Sequence, residues 1–254
     1  MTLLEGKRIS RLALVTGGTG GIGTEICRQL ASVGHRVVAT YLAWEWELAQ
    51  AWRRERGAEG LDIGLVECDV ASFESCVTMA RLVQTELGAV EILVNCAGIT
   101  RDKTLAKMEP AQWDAVLDTN LNGAFNVTRQ LINGMIERRF GRIVCISSVN
   151  GQKGQFGQTN YSAAKAGLYG FTRALAREAA AEGITVNTVS PGYVDTSMVG
   201  AMKQEVREAI VKQIPVGRLA EPREIAWAVG FLVAEESGYI TGADLPVNGG
   251  LFMG

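Results

Sequence analysis

Short apolar segments alternate with longer helical segments along the chain, and this alternation restricts the fold more than any other feature. The apolar segments recur at intervals of roughly 25 residues, a spacing typical of parallel α/β proteins. We predict strands at residues 11–16, 36–41, 63–70, 90–94, 142–147, 184–189 and 243–247, and long helices at 44–56, 73–87, 110–139 and 158–182. The pattern predicts one α/β domain over residues 1–254: a Rossmann-like, doubly wound parallel sheet of seven strands flanked by helices.

The charge balance argues against several partners. The 254 residues carry a formal net charge of −2, without a block of like charges, which is unlike a protein built to bind nucleic acid or an anionic membrane. No basic segment followed by an apolar one opens the chain, and no apolar run approaches the ~18 residues of a membrane helix. We therefore expect a cytoplasmic protein whose partners include neither nucleic acid nor a membrane.

Cysteine and histidine are too few or too scattered for metal or disulfide chemistry. The single histidine, His35, is insufficient for a histidine-based metal site or a Ser-His-Asp triad. The cysteines never form a C-x-x-C pair and are predicted to be reduced and mostly buried: Cys27, Cys68, Cys76, Cys96 and Cys145. No metal is expected.

A glycine-rich turn joins the first predicted strand to a helix that runs to about residue 33. Gly17, Gly21 and Gly23 follow the spacing G-x-x-x-G-x-G, so the backbone can approach a ligand closely. The free amides at the start of the helix suit a pyrophosphate. The turn therefore predicts a dinucleotide site, and a flexible turn without a ligand is the alternative.

A second chemical feature lies at residues 145–169, where a strand passes through a glycine-rich loop into an alanine-rich helix. Tyr161 and Lys165 are four residues apart, so they share one face of that helix. A nearby ammonium would lower the pKa of the phenol and make Tyr161 a candidate proton donor to a carbonyl oxygen. Ser148, at the carboxyl end of the strand, could hydrogen-bond the same oxygen. A surface Tyr–Lys pair is the alternative.

Between the last two predicted strands, residues 190–196 contain Pro191 and Gly192 and lead into a helical run at 198–213. A segment of this kind beyond the end of a strand is typical of a lid that shields hydride transfer from water. We predict a small helical lid at about 193–215. An ordinary helical excursion packed in place is the alternative.

Together these motifs resemble the short-chain dehydrogenase/reductase family over essentially the whole chain. The matching positions are Thr16-Gly-x-x-x-Gly-x-Gly23, Asp69, Asn95-x-Ala-Gly98, Asn120, Ser148, Tyr161-x-x-x-Lys165 and Pro191-Gly192. Cys96 departs from the pattern, because the family usually has a second Asn there. That position is thought to support the sheet, so the implied activity is unaffected.

The resemblance implies a carbonyl reductase with four catalytic residues. Tyr161 would donate the proton, Ser148 would bind the carbonyl oxygen, Lys165 would lower the pKa of Tyr161 and hold the nicotinamide ribose, and Asn120 would position a water. The implied cofactor contacts are Gly17, Thr19, Gly21, Ile22, Gly23, Thr40, Tyr41, Asp69, Val70, Asn95, Ala97, Gly98, Tyr161, Lys165, Pro191, Gly192 and Val194.

The identity of the reductant depends on the end of the second strand. An acidic residue there would hold the ribose 2′-hydroxyl of NAD and repel a 2′-phosphate. No Asp or Glu occurs before Glu45, while Thr40 and Tyr41 offer only hydrogen-bonding groups. The sequence therefore favours NADPH, with NADH possible.

Residues 147–161, together with 98–102, 189–193 and 248–254, resemble family members that reduce 3-oxoacyl thioesters. The implied reaction converts acetoacetyl-CoA to (R)-3-hydroxybutyryl-CoA in a homotetramer. A carrier-protein thioester is the alternative substrate, and a non-catalytic dinucleotide sensor is a remote alternative. The implied substrate contacts are Asp102, Ser148, Gln155, Phe156, Gln158, Tyr161 and Tyr193.

Overall fold

A computed structural model of the protein describes residues 10–200 and 204–254. Its sheet has seven parallel strands in the order β3-β2-β1-β4-β5-β6-β7. The strands are β1 Leu12–Thr16, β2 Arg36–Tyr41, β3 Ile63–Glu67, β4 Ile92–Asn95, β5 Gly141–Ile146, β6 Ile184–Pro191 and β7 Asp244–Val247. The predicted seven-stranded, doubly wound sheet is therefore confirmed.

The helices follow the strands in the predicted alternation. They are α1 Gly21–Ser32, α2 Trp46–Ala58, α3 Phe73–Leu87, α4 Pro110–Leu117, α5 Gly123–Arg138, α6 Val149–Lys153, α7 Thr159–Ala179, α8 Ser197–Gly200, α9 Gln204–Val211 and α10 Pro222–Val233. The predicted tract at 110–139 consists of α4, a π-helical turn at Asp118–Asn122 and α5.

Several predicted boundaries were wrong for local reasons. The third strand was predicted to reach residue 70 but ends at Glu67, because a turn closed by the bond from Ser72 N to Asp69 O follows it. The helix predicted from residue 44 opens as a 3₁₀ turn, in which the Glu45 carboxylate accepts the N–H of Leu42. The helix predicted at 158–182 ends at Ala179 and continues as a 3₁₀ turn.

Both faces of the sheet are buried at its central strands, which explains why β1 and β4 are almost wholly apolar. Leu14 and Leu93 belong to the core beneath α3, α5 and α7. Val15 and Val144 belong to the opposite core, which includes buried side chains of α1 and α10. All five residues of β1 are buried. Two helical layers thus fix the sheet from both sides.

The carboxyl ends of the central strands lie side by side where the strand order reverses. Thr16 pairs with Asn95, and Asn95 pairs with Cys145, in adjacent parallel ladders. In open α/β sheets, a crevice outside such a reversal is where ligands bind. The fold therefore brings the predicted motifs to one edge.

The predicted lid is partly described. It contains α8 and α9, with residues 201–203 outside the described part of the chain. Val199, Ile214 and Leu219 form a small apolar cluster of their own, against which Tyr193 and Leu251 pack. The segment is thus a separate packing unit beside the carboxyl-terminal residues.

The cysteines are free thiols, and four of the five are buried, with Cys96 partly buried. Within residues 10–200 and 204–254, no helix combines the length and the apolar character that crossing a membrane requires. The same residues contain no group of three or more His, Cys, Asp or Glu side chains placed to hold a metal ion.

Candidate active site

The glycine-rich turn forms the first wall of the site, between β1 and α1. Gly17 has a φ of +61°, a conformation that favours glycine. Its N–H donates to Thr40 Oγ1 over 3.0 Å. A Cβ on Gly21 would lie 2.9 Å from Thr196 Cγ2, and a Cβ on Gly23 would lie 2.2 Å from Gly17 O. The space above the start of α1 depends on these glycines, as a bound pyrophosphate requires.

The residues at the end of β2 are engaged in contacts within the protein. Thr40 is buried, and its hydroxyl accepts the Gly17 N–H, so it holds the glycine-rich turn in place. Tyr41 is also buried and packs against Trp46, with ring centroids 5.7 Å apart. The Glu45 carboxylate caps Leu42 N at 3.1 Å. The acidic side chain nearest in sequence to this strand end is therefore engaged as a capping group.

The loop after β3 carries the positions expected to contact adenosine. Asp69 Oδ1 accepts the N–H of Ala71 at 3.0 Å, and this bond shapes the turn. Val70 is buried, and its carbonyl accepts from Asn126 Nδ2 at 2.9 Å. A Cβ on Gly123 would lie 2.8 Å from Val70 Cγ2, so α5 packs directly on this loop.

The loop after β4 closes against the glycine-rich turn. Thr16 Oγ1 accepts the N–H groups of Cys96 and Ala97 at 3.0 and 3.1 Å. A Cβ on Gly17 would lie 2.9 Å from Ala97 Cα. Asn95 Nδ2 donates to Thr128 Oγ1, while the buried Asn95 Oδ1 has no hydrogen-bond partner among residues 10–200 and 204–254. The two loops thus form one continuous surface.

The four predicted catalytic residues lie beyond the carboxyl ends of β4 and β5. Ser148 follows β5 and caps α6, its hydroxyl accepting the N–H of Asn150 at 3.1 Å. Lys165 Nζ lies 5.6 Å from the ring centroid of Tyr161 and donates to Ile146 O at 2.7 Å. The structure therefore brings Tyr161 and Lys165 together.

Asn120 reaches this group from the π-helical turn. Its Oδ1 accepts the N–H of Ile99 at 2.8 Å, and its Nδ2 donates to Ile99 O at 2.9 Å. A Cβ on Gly98 would lie 3.3 Å from Asn120 Oδ1 and 3.5 Å from Lys165 Nζ. Asn120 and Lys165 therefore flank the same backbone position.

A small cavity is lined in part by these residues. Its volume is about 10 Å³, and its lining includes Thr16, Asn95, Asn120 and Lys165. A volume of this size is close to the lower limit for one water molecule, which needs several polar partners. The unpartnered Asn95 Oδ1 and the Lys165 ammonium are such groups. The cavity therefore has the size and the polar lining that one water needs.

The predicted direction of the pKa shift of Tyr161 was wrong for the cofactor-free chain. Lys165 was expected to lower the pKa of Tyr161, but burial raises the pKa of Tyr161 to about 12. A hydrogen bond with Ser148 acts in the opposite direction, and the charge of Asp102 adds to the increase. Removing the phenol from water disfavours phenolate more than the surrounding groups favour it. Burial also lowers the pKa of Lys165, to about 8.

Among the predicted substrate residues, Asp102 and Gln158 bond each other, whereas Gln155 and Phe156 are exposed. Gln158 Nε2 donates to Asp102 Oδ2 at 2.8 Å, so these two side chains join two loops. The exposed Gln155 accepts from Lys153 Nζ at 3.1 Å, and Phe156 is 87% exposed. Tyr193 packs in the lid cluster. The structure does not bring all of these side chains together.

Backbone pairing holds the residues at the end of β6 that were predicted to contact the cofactor. Gly192 N donates to Val247 O at 2.9 Å, and a Cβ on Gly192 would lie 2.9 Å from Asn248 Cα. Val194 is buried and pairs with Ala220 in an isolated bridge. The Val194 side chain packs in the same core as α1 and α10.

Sequence reasoning missed residues that hold the site without containing a reactive group. Asn160 is completely buried, and its Nδ2 donates to Arg101 O and Gln112 O at 3.2 and 3.1 Å. Its Oδ1 accepts the N–H of Tyr161 at 2.8 Å. An Asn at the first turn of a helix signals such a role, but the partner loops are distant in sequence. Tyr169 belongs to the same class.

Replacing Lys165 with Met is expected to change the pH dependence of stability. The pKa of Lys165 is lowered from 10.5 to about 8, so between these values only the unfolded wild-type chain binds the proton. The free energy of unfolding of the wild type therefore rises over this range, by roughly 3 kcal/mol from this group. Lys165→Met lacks this pH dependence. The free energy of unfolding of Lys165→Met minus that of the wild type should therefore fall by about the same amount between pH 8 and 10.5. Denaturant unfolding of the cofactor-free proteins across this range measures it.

The control for that measurement is Lys212→Met, at an exposed position beside α9. It leaves the buried ammonium in place, so its free energy of unfolding should follow the wild-type pH profile. A difference between Lys165→Met and wild type that stays constant from pH 8 to 10.5 would contradict the burial of a charged Lys165.

Comparison with known proteins agrees with this geometry. Residues 17–252 match the family described as Enoyl-(Acyl carrier protein) reductase. The acetoacetyl-CoA reductase of Allochromatium vinosum is 59% identical, covering 96% of this chain and 100% of the relative. That of Cupriavidus necator is 56% identical, covering 96% and 99%. The 3-oxoacyl-[acyl-carrier-protein] reductase of Vibrio cholerae is 45% identical, covering 98% and 99%.

The parallel sheet, the glycine-rich turn and these full-length similarities define the class of protein. The chain belongs to the short-chain dehydrogenase/reductase family. It is accordingly an oxidoreductase that uses a nicotinamide dinucleotide.

Proposed function

We propose that this protein reduces acetoacetyl-CoA to (R)-3-hydroxybutyryl-CoA with NADPH, as a step of polyhydroxybutyrate synthesis in the cytoplasm. The observation that carries the proposal is the convergence of Tyr161, Lys165 and Asn120 near Ser148, at the edge beside the glycine-rich turn. The names and identities of the two acetoacetyl-CoA reductases support the substrate.

Each side chain has a separate task in the proposed reaction. The dinucleotide supplies the hydride when it is bound. Tyr161 donates its proton to the 3-oxo oxygen, and its pKa of about 12 keeps it protonated before the reaction. The Ser148 hydroxyl binds the same oxygen and stabilises the charge that develops there. Lys165 and a water in the cavity beside Asn120 return a proton to Tyr161.

The choice of NADPH rests on the end of β2. A carboxylate free to bind the ribose hydroxyls would favour NADH. The carboxylate of Glu45 is instead engaged by Leu42 N, and Thr40 by Gly17 N. Thr40, Tyr41 and Leu42 are not acidic themselves, so none of them opposes a 2′-phosphate.

The substrate loops support a thioester with a short acyl chain. The bond between Asp102 and Gln158 holds one side of the entrance, and Asn150 Nδ2 extends it by donating to Gln158 Oε1 at 3.0 Å. The exposed Phe156 offers an apolar surface for the acyl group or the pantetheine arm. Tyr193, at the start of the lid, lies beside Asn150 and adds a hydroxyl to the same side of the entrance.

A homotetramer is the assembly that we propose. Phe125 on α5 is half exposed, and Trp227 and Phe231 on α10 are exposed and stacked, with ring centroids 6.4 Å apart. Two separate apolar surfaces of this kind suit the two kinds of contact that a tetramer with twofold axes needs. Light scattering of the purified protein measures the mass.

The proposed reaction is tested by following the absorbance of the reduced cofactor with acetoacetyl-CoA. We expect rapid oxidation of NADPH and slower oxidation of NADH. The control substrates are an acetoacetyl thioester of acyl-carrier protein and crotonyl-CoA. Preference for the carrier thioester would assign the chain to the reaction named for the Vibrio cholerae relative. Activity with crotonyl-CoA alone would favour the enoyl reduction named in the family description.

A further inference from the structure

Hydrogen bonds join α7 to three consecutive residues at the end of β5: Ile146, Ser147 and Ser148. Lys165 Nζ donates to Ile146 O at 2.7 Å, and Ser147 Oγ donates to Lys165 O at 2.8 Å. Tyr169 Oη then donates to Ser148 O at 3.0 Å. The third bond fixes the carbonyl of the residue whose hydroxyl faces the reaction. Tyr169 lies one helical turn beyond Lys165, on the same face of α7.

The hydroxyl of Tyr169 is itself anchored from β6 and β7. It lies 3.0 Å from Ser190 Oγ, and Ser190 Oγ donates to Asp244 Oδ1 at 2.6 Å. Asp244 Oδ1 also accepts from Thr188 Oγ1 at 2.6 Å, while Asp244 Oδ2 accepts from Gln152 Nε2 at 2.6 Å. Gln152 belongs to α6, so the same carboxylate holds the helix that Ser148 caps.

The directions of these bonds follow from the number of protons. An ionised carboxylate only accepts, so the single proton of Ser190 points to Asp244. Ser190 Oγ is then an acceptor, so the single phenol proton of Tyr169 is shared between Ser190 Oγ and Ser148 O in a bifurcated hydrogen bond. Burial raises the pKa of Tyr169, and the charge of Asp244 raises it further, so Tyr169 stays a donor.

We propose that Tyr169, anchored by Ser190 and Asp244, is a positioning residue that sets the orientation of Ser148 for carbonyl reduction. The inference rests on the proposed function, because it assigns Ser148 to the reacting oxygen. The Tyr169 hydroxyl bonds the Ser148 carbonyl, so we assign its effect on the reaction to the position of Ser148. An oxyanion donor that moves by a fraction of an ångström loses much of its effect.

The first test compares Tyr169→Phe with Tyr239→Phe, in which the same oxygen is removed from a fully exposed ring. With acetoacetyl-CoA and NADPH, we expect Tyr169→Phe to lower kcat about tenfold, on the order of 1.4 kcal/mol. Its Kd for NADPH, measured by fluorescence, should stay within about twofold of wild type, and its KM should change little. Tyr239→Phe should behave as wild type.

The second test repeats Tyr169→Phe in a Ser148→Ala background. Once the Ser148 hydroxyl is gone, loss of the Tyr169 hydroxyl should have no further effect on kcat. A general structural defect would instead lower kcat by the same factor in both backgrounds. That result, or an unchanged kcat in Tyr169→Phe alone, would overturn the proposal.

Two further measurements apply if Tyr169→Phe does not fold or if wild type is inactive. If Tyr169→Phe does not fold, Ser190→Ala removes the anchor but keeps the tyrosine, and the same pair of backgrounds applies with a smaller expected loss. If wild type is inactive with acetoacetyl-CoA, the proposed substrate is wrong. The ratios are then measured with the carrier-protein thioester, so the two failures remain distinct.

Discussion

Replacing Tyr161 with Phe is expected to lower kcat by a factor of about 10²–10⁴, the usual contribution of a positioned general acid. The ring stays, so its contact with Lys165, 5.6 Å from the centroid, is kept. What is lost is the only proton that the proposed reaction delivers to the 3-oxo oxygen. Steady-state rates with acetoacetyl-CoA and NADPH measure the loss.

Two further measurements separate a chemical defect from a folding defect. Tyr161→Phe should bind NADPH and unfold at about the wild-type temperature, because removing one hydroxyl leaves the ring packed. Tyr239→Phe, on the surface, controls for the loss of a phenol and should keep full activity. Turnover by Tyr161→Phe within a few fold of wild type would remove Tyr161 from the reaction.

Replacing Gly23 with Ala is expected to weaken NADPH binding by roughly 100-fold or more, about 3 kcal/mol. The added methyl would lie 2.2 Å from Gly17 O and 2.8 Å from Gly18 Cα. Both neighbours are backbone, so the turn must open and the amides at the start of α1 lose their alignment on the pyrophosphate. Fluorescence titration with NADPH measures the change in Kd.

The matched control is Gly57→Ala in α2. Apart from its chain neighbours and the backbone of its own helix, no atom of the described residues lies within 4 Å of a Cβ added there. Alanine favours a helix by up to about 1 kcal/mol over glycine, so this variant should unfold at an equal or higher temperature and bind NADPH normally. A Gly23→Ala variant that folds and binds NADPH as tightly as Gly57→Ala would show that the turn does not hold the phosphates.

Much of the fold was predictable because its signals are local. Apolar segments buried on both faces marked the seven strands, and glycine spacing marked the turn after β1. The pairing of Tyr161 with Lys165 followed from helical periodicity, and the structure places Nζ 5.6 Å from the ring centroid. These inferences needed only neighbours in sequence.

What could not be predicted depends on distant contacts or on burial. Tyr169 meets Ser190, and Ser190 meets Asp244, only because α7, β6 and β7 pack together, and the motifs near these residues assign none of them this contact. The direction of the pKa shift of Tyr161 depends on how far the folded chain removes the phenol from water. Spacing on a helix contains no such information.

The π-helical turn at Asp118–Asn122 has a consequence for how this site can change by insertion and deletion. Such a turn amounts to one extra residue in a continuous helix. Deleting one residue there would restore a regular α-helix from Pro110 onward and leave the faces of α4 and α5 almost unchanged, because the wider turn had absorbed the extra residue. Only the side chains of the turn itself would change direction. Asn120 would leave Ile99, while the packing of α5 on Val70 could be kept. A one-codon deletion could thus separate cofactor binding from catalysis.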